Sequence, residues 1–341
     1  MASLPTLASN AAVERFRLGV DENGLGPRLG PLVVTAVVAR VTEEGHVIAS
    51  RRPKGSLAKR LGDSKAMIAH GDVALGEAWA RAVARRTGLT GGTPDDLIHG
   101  FVLDSKSELR RLCPSHVEAQ CWSTSGEKFE TDDKLVGRIT ADLERLAAQG
   151  VDIVSLRSTV VCTRRINDAR ERGHSRFEVD LHAMERMVLE TRERYQGELQ
   201  AVCGKVGGYA RYSSAFGPLG GRLHAIVEEG AKRSTYSFPG LGTIAFVRDA
   251  DESHLLVAMA SMVGKWIREV MMTRIVRHYG YKEEAAELAS GYHDPVTDRF
   301  VDATALVRQK RKVPDTCFER TPADVAPLDP RKKNRELLLS P

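Results

Sequence analysis

The sequence predicts an α/β fold, a sheet flanked by helices, and three observations predict it. Short apolar runs of strand length alternate along the chain with amphipathic runs of helix length. The run over 32–39 is apolar and Val-rich, as a buried strand requires. And the first two strands are joined by a segment holding two adjacent carboxylates and several glycines, Gly19-Val20-Asp21-Glu22-Asn23-Gly24-Leu25-Gly26-Pro27-Arg28-Leu29-Gly30-Pro31, which reads either as a hairpin turn or as the floor of a site.

The elements follow in order. Residues 16–20 form a short apolar strand and 32–39 a Val-rich buried one. A basic connector, 51–60, leads through Leu61-Gly62-Asp63-Ser64-Lys65 into a helix over 66–86 that carries Ala74, Trp79, Ala82 and Val83, and 87–94 break it. Residues 95–150 hold two helix-like stretches around a polar middle with Pro114, Cys121 and Trp122, and read as an insertion. Strands are expected at 151–161, 199–206, 223–229 and 243–247, and a helix at 175–194. A long helix over 251–277 places Leu255, Ala258, Met262, Trp266 and Val270 at helical spacing.

Composition narrows the class. With 341 residues and 42% hydrophobic content the chain can bury a substantial core, and no apolar run approaches a membrane span. Residues 1–13 read as a flexible leader without a secretory pattern, so a cytoplasmic protein is expected; a monomer is expected as well. Five cysteines without a CxxC pair argue against a disulfide framework and a structural zinc site. A net charge of +5, with 50 Lys and Arg, suits a polyanionic partner.

The candidate chemistry is carboxylate chemistry. Successive strand residues point to opposite faces, so Asp21 and Glu22 can serve one divalent ion only where the strand bends or ends. Asp251 stands at a strand-to-helix junction, where it either caps the helix or holds a cation. Small residues follow it, Ala258, Ala260, Ser261 and Gly264, which let a helix approach a sheet closely.

These residues resemble the type 2 ribonucleases H, ribonuclease HII and its relatives. Asp21-Glu22-Asn23-Gly24-Leu25-Gly26-Pro27 with Gly30-Pro31 is similar to the family's DEAGRGPLAGP motif, and Asp63-Ser64-Lys65 to its DSK. Asp251 precedes Ala260-Ser261-Met262-Val263-Gly264-Lys265 much as the family's last catalytic Asp precedes its AASIxAK helix. Gly291-Tyr292-His293-Asp294 resembles GYGT, and Cys317-Phe318-Glu319-Arg320 falls where an HRRSF-like tail would come. The resemblance implies a ribonuclease H-like mixed sheet flanked by helices over 14–280, with the 95–150 insertion and a C-terminal helical extension, 281–341, that contacts substrate. It implies Mg2+ or Mn2+ held by Asp21, Glu22 and Asp251, and cleavage of the RNA strand of an RNA/DNA hybrid or of duplex DNA at an embedded ribonucleotide. Gly24, Gly26, Ser64, Lys65 and Tyr292 would bind substrate, Lys65 through phosphate and Tyr292 through a sugar.

Two departures stand out. Leu25 replaces the arginine of the family's GRG, removing a phosphate partner. The expected VDG-like strand end is Val202-Cys203-Gly204, where Cys203 takes the place of a carboxylate as a metal ligand, a poor match for Mg2+, or is simply a small buried hydrophobe. Asp249, Glu228 and Glu229 are further candidates for the missing oxygen donor. A nucleic-acid-binding relative with weakened or lost turnover is the competing expectation.

Overall fold

The computed structural model describes residues 13–68, 73–122, 125–206, 209–280 and 289–322. The first two strands are longer than the sequence suggests. β1 (Arg15–Asn23) runs antiparallel to β2 (Leu32–Val41), with Asp21 opposite Thr35 and Glu22 opposite Val34. β2 pairs with β3 (Val151–Val161), whose limits are those expected. On its other edge β1 takes β4 (Glu198–Gly204) in parallel, Val20 opposite Cys203. A meander of β5 (Ala225–Glu229), β6 (Arg233–Phe238) and β7 (Gly242–Val247) follows, and β7 joins β4 in parallel. The order across the sheet is β3-β2-β1-β4-β7-β6-β5. This is the expected mixed sheet, with the β5–β6 hairpin at one edge.

Helices cover both faces. α1 (Glu43–Ala49) follows β2, and α2 (Ser64–Met67) and α3 (Ala74–Arg86) stand where one helix over 66–86 was expected, with 69–72 outside the described residues. The 95–150 stretch holds three helices rather than two, α4 (Pro94–Phe101), α5 (Lys106–Arg110) and α6 (Asp133–Ala148). Val136, Ile139 and Leu143 of α6 enter the same core as Trp79 and Val83 of α3. After β3 come α7 (Thr163–Glu171), which the sequence reading did not mark, and α8 (Arg176–Arg194), N-capped by Ser175 in a capping box. The α8 face buries Phe16, Leu18 and Val20 of β1 under Leu181, Met184 and Val188.

The helix expected over 251–277 divides. α9 (Ala250–Ser253) ends at His254, whose extended backbone (φ −129°, ψ 123°) separates it from α10 (Leu255–His278). α10 is apolar nearly all round because it is buried nearly all round, between α3 and the sheet. It lies so close to β1 that a Cβ on Gly19 would stand 2.4 Å from the Leu256 carbonyl carbon. The chain closes with α11 (Pro295–Lys310) and α12 (Asp315–Phe318), whose Phe300 and Phe318 pack on Tyr279 at the end of α10. Beyond α12 the backbone returns to the glycine segment, where Arg320 N–H donates to the Arg28 carbonyl at 2.9 Å. All five cysteines are free thiols. Among the described residues no helix is long and apolar enough to cross a membrane. The expected leader, all but its last residue, and parts of the C-terminal extension (281–288, 323–341) lie outside the described residues.

Candidate active site

The alternation of β1 divides its two acids between two helices. Gly19, Asp21 and Asn23 face α10: Asn23 Nδ2 donates to the Ser261 carbonyl at 3.3 Å, and the Ser261 hydroxyl hydrogen-bonds Asp21. The next residue, Glu22, lies on the side of α8. Asp21 is buried, 8% exposed. Burial first, then the charges of Glu22 and Asp251, raise its pKa well above the usual carboxylate range, against the Ser261 hydrogen bond and Lys65. Glu22 is pushed up to about 8 by burial and then by Asp180. Asp251, half-buried in α9, is raised by burial and then by Asp63. The sequence-predicted acids therefore share one field at one end of the sheet.

Lys65 is their cationic counterpart. Burial opposes its charge, but Glu22, Asp251, Asp21 and Asp63 together raise its pKa. Its backbone is fixed by Asp63, whose carboxylate accepts from Lys65 N–H at 2.8 Å as the cap of α2. Ser64 has a different place from the one expected: it is 1% exposed, and its hydroxyl shares a 2.9 Å hydrogen bond with that of Ser261. It ties α2 to α10 behind Asp21 rather than lining an open surface.

Cys203 pairs with Val20 and lies in the core beneath α8, fully buried, with its thiol pKa raised by burial. The strand-end residue that abuts the acids is the next one. A Cβ on Gly204 would stand 2.8 Å from Asp21 Oδ1 and 3.2 Å from Glu22 Oε2. Glu228 and Glu229 are engaged on the edge hairpin, Glu228 with Arg233 at 3.1 Å and Glu229 accepting from the Tyr236 hydroxyl at 2.6 Å. Asp249 sits in left-handed backbone (φ 50°) where β7 turns into α9. The carboxylate that sequence reasoning missed is Asp180 of α8. It is fully buried, and neither of its oxygens has a hydrogen-bond partner among the described residues.

The glycine segment forms the other wall. Gly24 adopts φ +89°, and a Cβ there would meet Arg268 Nε at 2.4 Å, so glycine is required twice over. Arg320, fully enclosed, donates to the carbonyls of Gly24 (2.7 Å), Leu25 (3.1 Å) and Gly30 (2.7 and 3.0 Å). Arg268 Nη2 holds the Ser290 carbonyl at 3.0 Å, and its guanidinium lies 4.9 Å from the centre of the Tyr292 ring. The Gly291 carbonyl accepts from both Arg28 and Leu29 N–H at 2.9 Å, docking the tyrosine turn on the segment. Gly26 is exposed with open space around its Cα, and Tyr292 is 41% exposed. On the Lys65 side, Arg52, Lys54, Asp63 and Glu252 line a cavity of about 550 Å³.

Hard oxygen donors with raised pKa values, one of them without a partner, are the chemistry that Mg2+ or Mn2+ satisfies. The acids share a field without forming a finished cage. Among the described residues no group of three or more His, Cys, Asp or Glu stands ready to hold a metal ion.

No protein-family model matches the sequence, and no curated protein matches it. Among solved structures the chain is similar to ribonuclease HII of Archaeoglobus fulgidus, solved in complex with PCNA, at 16% identity over 93% of this chain and 99% of that one (TM-score 0.42). It is similar to Bst ribonuclease HIII in complex with Mn2+, at 12% identity over 92% and 67% of the two chains (TM-score 0.43). It is also similar to ribonuclease H2 of Pyrococcus horikoshii OT3, at 16% identity over 89% and 92% (TM-score 0.39). The chain's own sheet, β3-β2-β1-β4-β7-β6-β5, carries an acidic pair at the end of β1, and the motifs that resemble those of the type 2 ribonucleases H run in order from that strand to Arg320.

Proposed function

We propose that the protein is a metal-dependent endoribonuclease that cleaves the RNA strand of RNA/DNA hybrids or duplex DNA at an embedded ribonucleotide. The observation that carries this reading is the convergence, at one end of β1, of a field of buried and half-buried acids (Asp21, Glu22, Asp251) with a glycine segment exposed at Gly26 and edged by an exposed tyrosine. Asp21, Glu22 and Asp251 hold Mg2+ or Mn2+ in this reading. A divalent cation so held supplies Lewis acidity that activates water and neutralises charge developing on the phosphodiester. The chain's own residues do the rest. The exposed backbone at Gly26 admits a ribose, whose 2′-hydroxyl separates RNA from DNA. Tyr292 packs against a sugar beside it. Lys65 takes a backbone phosphate.

One observation favours a second reading, a relative that binds nucleic acid without turnover. The β4 residue against Asp21 and Glu22 is Gly204, which has no donor, and Cys203 faces the core. Cleavage of a duplex with a single ribonucleotide, compared with a continuous hybrid in Mg2+ and in Mn2+, decides between them. Cleavage on the RNA strand supports the first reading, binding without cleavage establishes the second, and neither binding nor cleavage removes both.

A further inference from the structure

We propose that Asp180 of α8 is the acid that completes the carboxylate site of this chain, in place of the one that the end of β4 does not carry. The proposal rests on the nuclease reading for the identity of the ion and on the structure for the residue.

Phe177, Leu181, Met184 and Val188 form the stripe of α8 buried against the sheet, and Asp180 falls within that stripe at helical spacing. A carboxyl group there is costly unless something satisfies it. The same helix shows what satisfaction looks like. Glu185, also buried, accepts from the backbone N–H groups of Gly217 and Leu219, the latter at 2.7 Å. Asp180 has no such donors among the described residues; instead it lies in the field of Asp21 and its own charge acts on Glu22 and Cys203. Meanwhile Asp21 and Glu22 occupy the space a side chain on Gly204 would need. The strand end thus lacks a donor, and the helix facing it carries one with nothing to bind. A hard cation between them removes both anomalies, since it brings an unpaired buried carboxylate the positive partner it lacks.

Mn2+ binding to the full-length chain, measured by titration calorimetry together with thermal unfolding, tests this. The wild type is expected to bind, and Asp180→Asn to bind at least about tenfold more weakly while the metal-free variant stays as stable as the wild type or gains stability. Adding Gly204→Asp to Asp180→Asn is expected to recover affinity, because it returns an oxygen donor to the strand end beside Asp21 and Glu22; a purely structural role for Asp180 gives no such recovery. Wild-type affinity in Asp180→Asn overturns the proposal, as does a wild type that binds no Mn2+. So does unfolding of both Asp180→Asn and the smaller Asp180→Ser, which marks the residue as structural. A wild type that binds Mn2+ through Asp180 yet cleaves no hybrid sinks the nuclease reading and leaves this one standing. Equal cleavage and equal binding by wild type and Asp180→Asn do the reverse.

Discussion

The glycine segment and the carboxylate edge meet at the end of β1 and are built in opposite ways. In the segment, the carbonyls of Gly24, Leu25 and Gly30 are held by Arg320, and Arg268 fills the space above Gly24. Along the edge, burial and then neighbouring carboxylates raise the pKa values of three acids, a fourth has no hydrogen-bond partner among the described residues, and Lys65 is a cation that works against them. In the segment the backbone is held beforehand by protein donors. Along the edge the Asp180 carboxylate is left unsatisfied. That division is the one expected of a site that positions a nucleic acid on one wall and performs metal-assisted hydrolysis on the other.

The largest effect should come from breaking the unsatisfied wall. Asp21→Asn is expected to abolish cleavage, a loss of several orders of magnitude in rate, with circular dichroism unchanged. The metal-free variant should unfold at the same temperature or higher, because an amide of the same shape removes repulsion with Glu22 and Asp251 and leaves no cavity. Residual cleavage near the wild-type rate would show that Asp21 is not where the chemistry happens.

Breaking the rigid wall should show in stability first. Arg320→Ala leaves three carbonyls of the segment without their donor in a closed interior, and each such loss costs about 1–3 kcal/mol. A total of roughly 3 kcal/mol or more is expected in urea denaturation. A shift under 1 kcal/mol, within the range of an ordinary surface change, would mean that the segment holds its shape without the arginine.

Much of this contrast was legible in the sequence, and the part that was not has identifiable causes. Asp21, Glu22 and Asp251 announce themselves by position, at strand ends and before a helix, and the structure puts them in one field. The limits of β3 follow from its apolar run and the Gly150 before it. The strand-end donor was not legible because parallel pairing between β1 and β4 is set by the whole sheet. A difference of one residue moves a side chain to the other face, which is what separates Cys203 in the core from Gly204 beside the acids. Asp180 is hard to read from sequence because an Asp in a helix is ordinarily a solvated one. The available signal was its spacing from Phe177, Leu181 and Met184, which marks the buried stripe. The division of α9 from α10 has neither Pro nor Gly to betray it; His254 simply takes extended backbone. Arg320, distant in sequence by nearly the whole chain, carries no local sign of the loop it holds.

Removing metal should sharpen the comparison through pH. Glu22 titrates near 8 in the folded chain against an ordinary 4.5, so between those values the folded state keeps a proton that the unfolded state has released. Stability from this group is therefore full below about pH 4.5 and is lost as pH rises through about 8. Asp21, Asp180 and Asp251 are shifted in the same direction. In EDTA the unfolding temperature should fall over that window, Glu22→Gln should flatten the fall, and Mn2+ should restore more stability at pH 8 than at pH 6. A metal-free protein whose stability rises across the window more steeply in the wild type than in Glu22→Gln would contradict the assigned direction.

The smallest effects distinguish the two substrate contacts. Lys65→Ala should weaken binding to all duplexes about equally and reduce the salt slope by about 1, since a phosphate contact carries no base information. Tyr292→Ala should leave stability within about 0.5 kcal/mol, because the ring is partly exposed and its turn is held by backbone. The Tyr292 N–H donates to Ser290 Oγ at 3.1 Å, and Gly291 docks on Arg28 and Leu29, so the turn keeps its place when the ring is gone. What would be lost, in the proposed reading, is a ring surface for a sugar at the glycine segment, and with it discrimination for the position of the ribonucleotide. The ratio of cleavage at an embedded ribonucleotide to cleavage of a continuous hybrid should therefore change in Tyr292→Ala and hold in Lys65→Ala. Parallel behaviour of the two variants across substrates would remove the distinction between a wall that reads the sugar and a wall that balances charge.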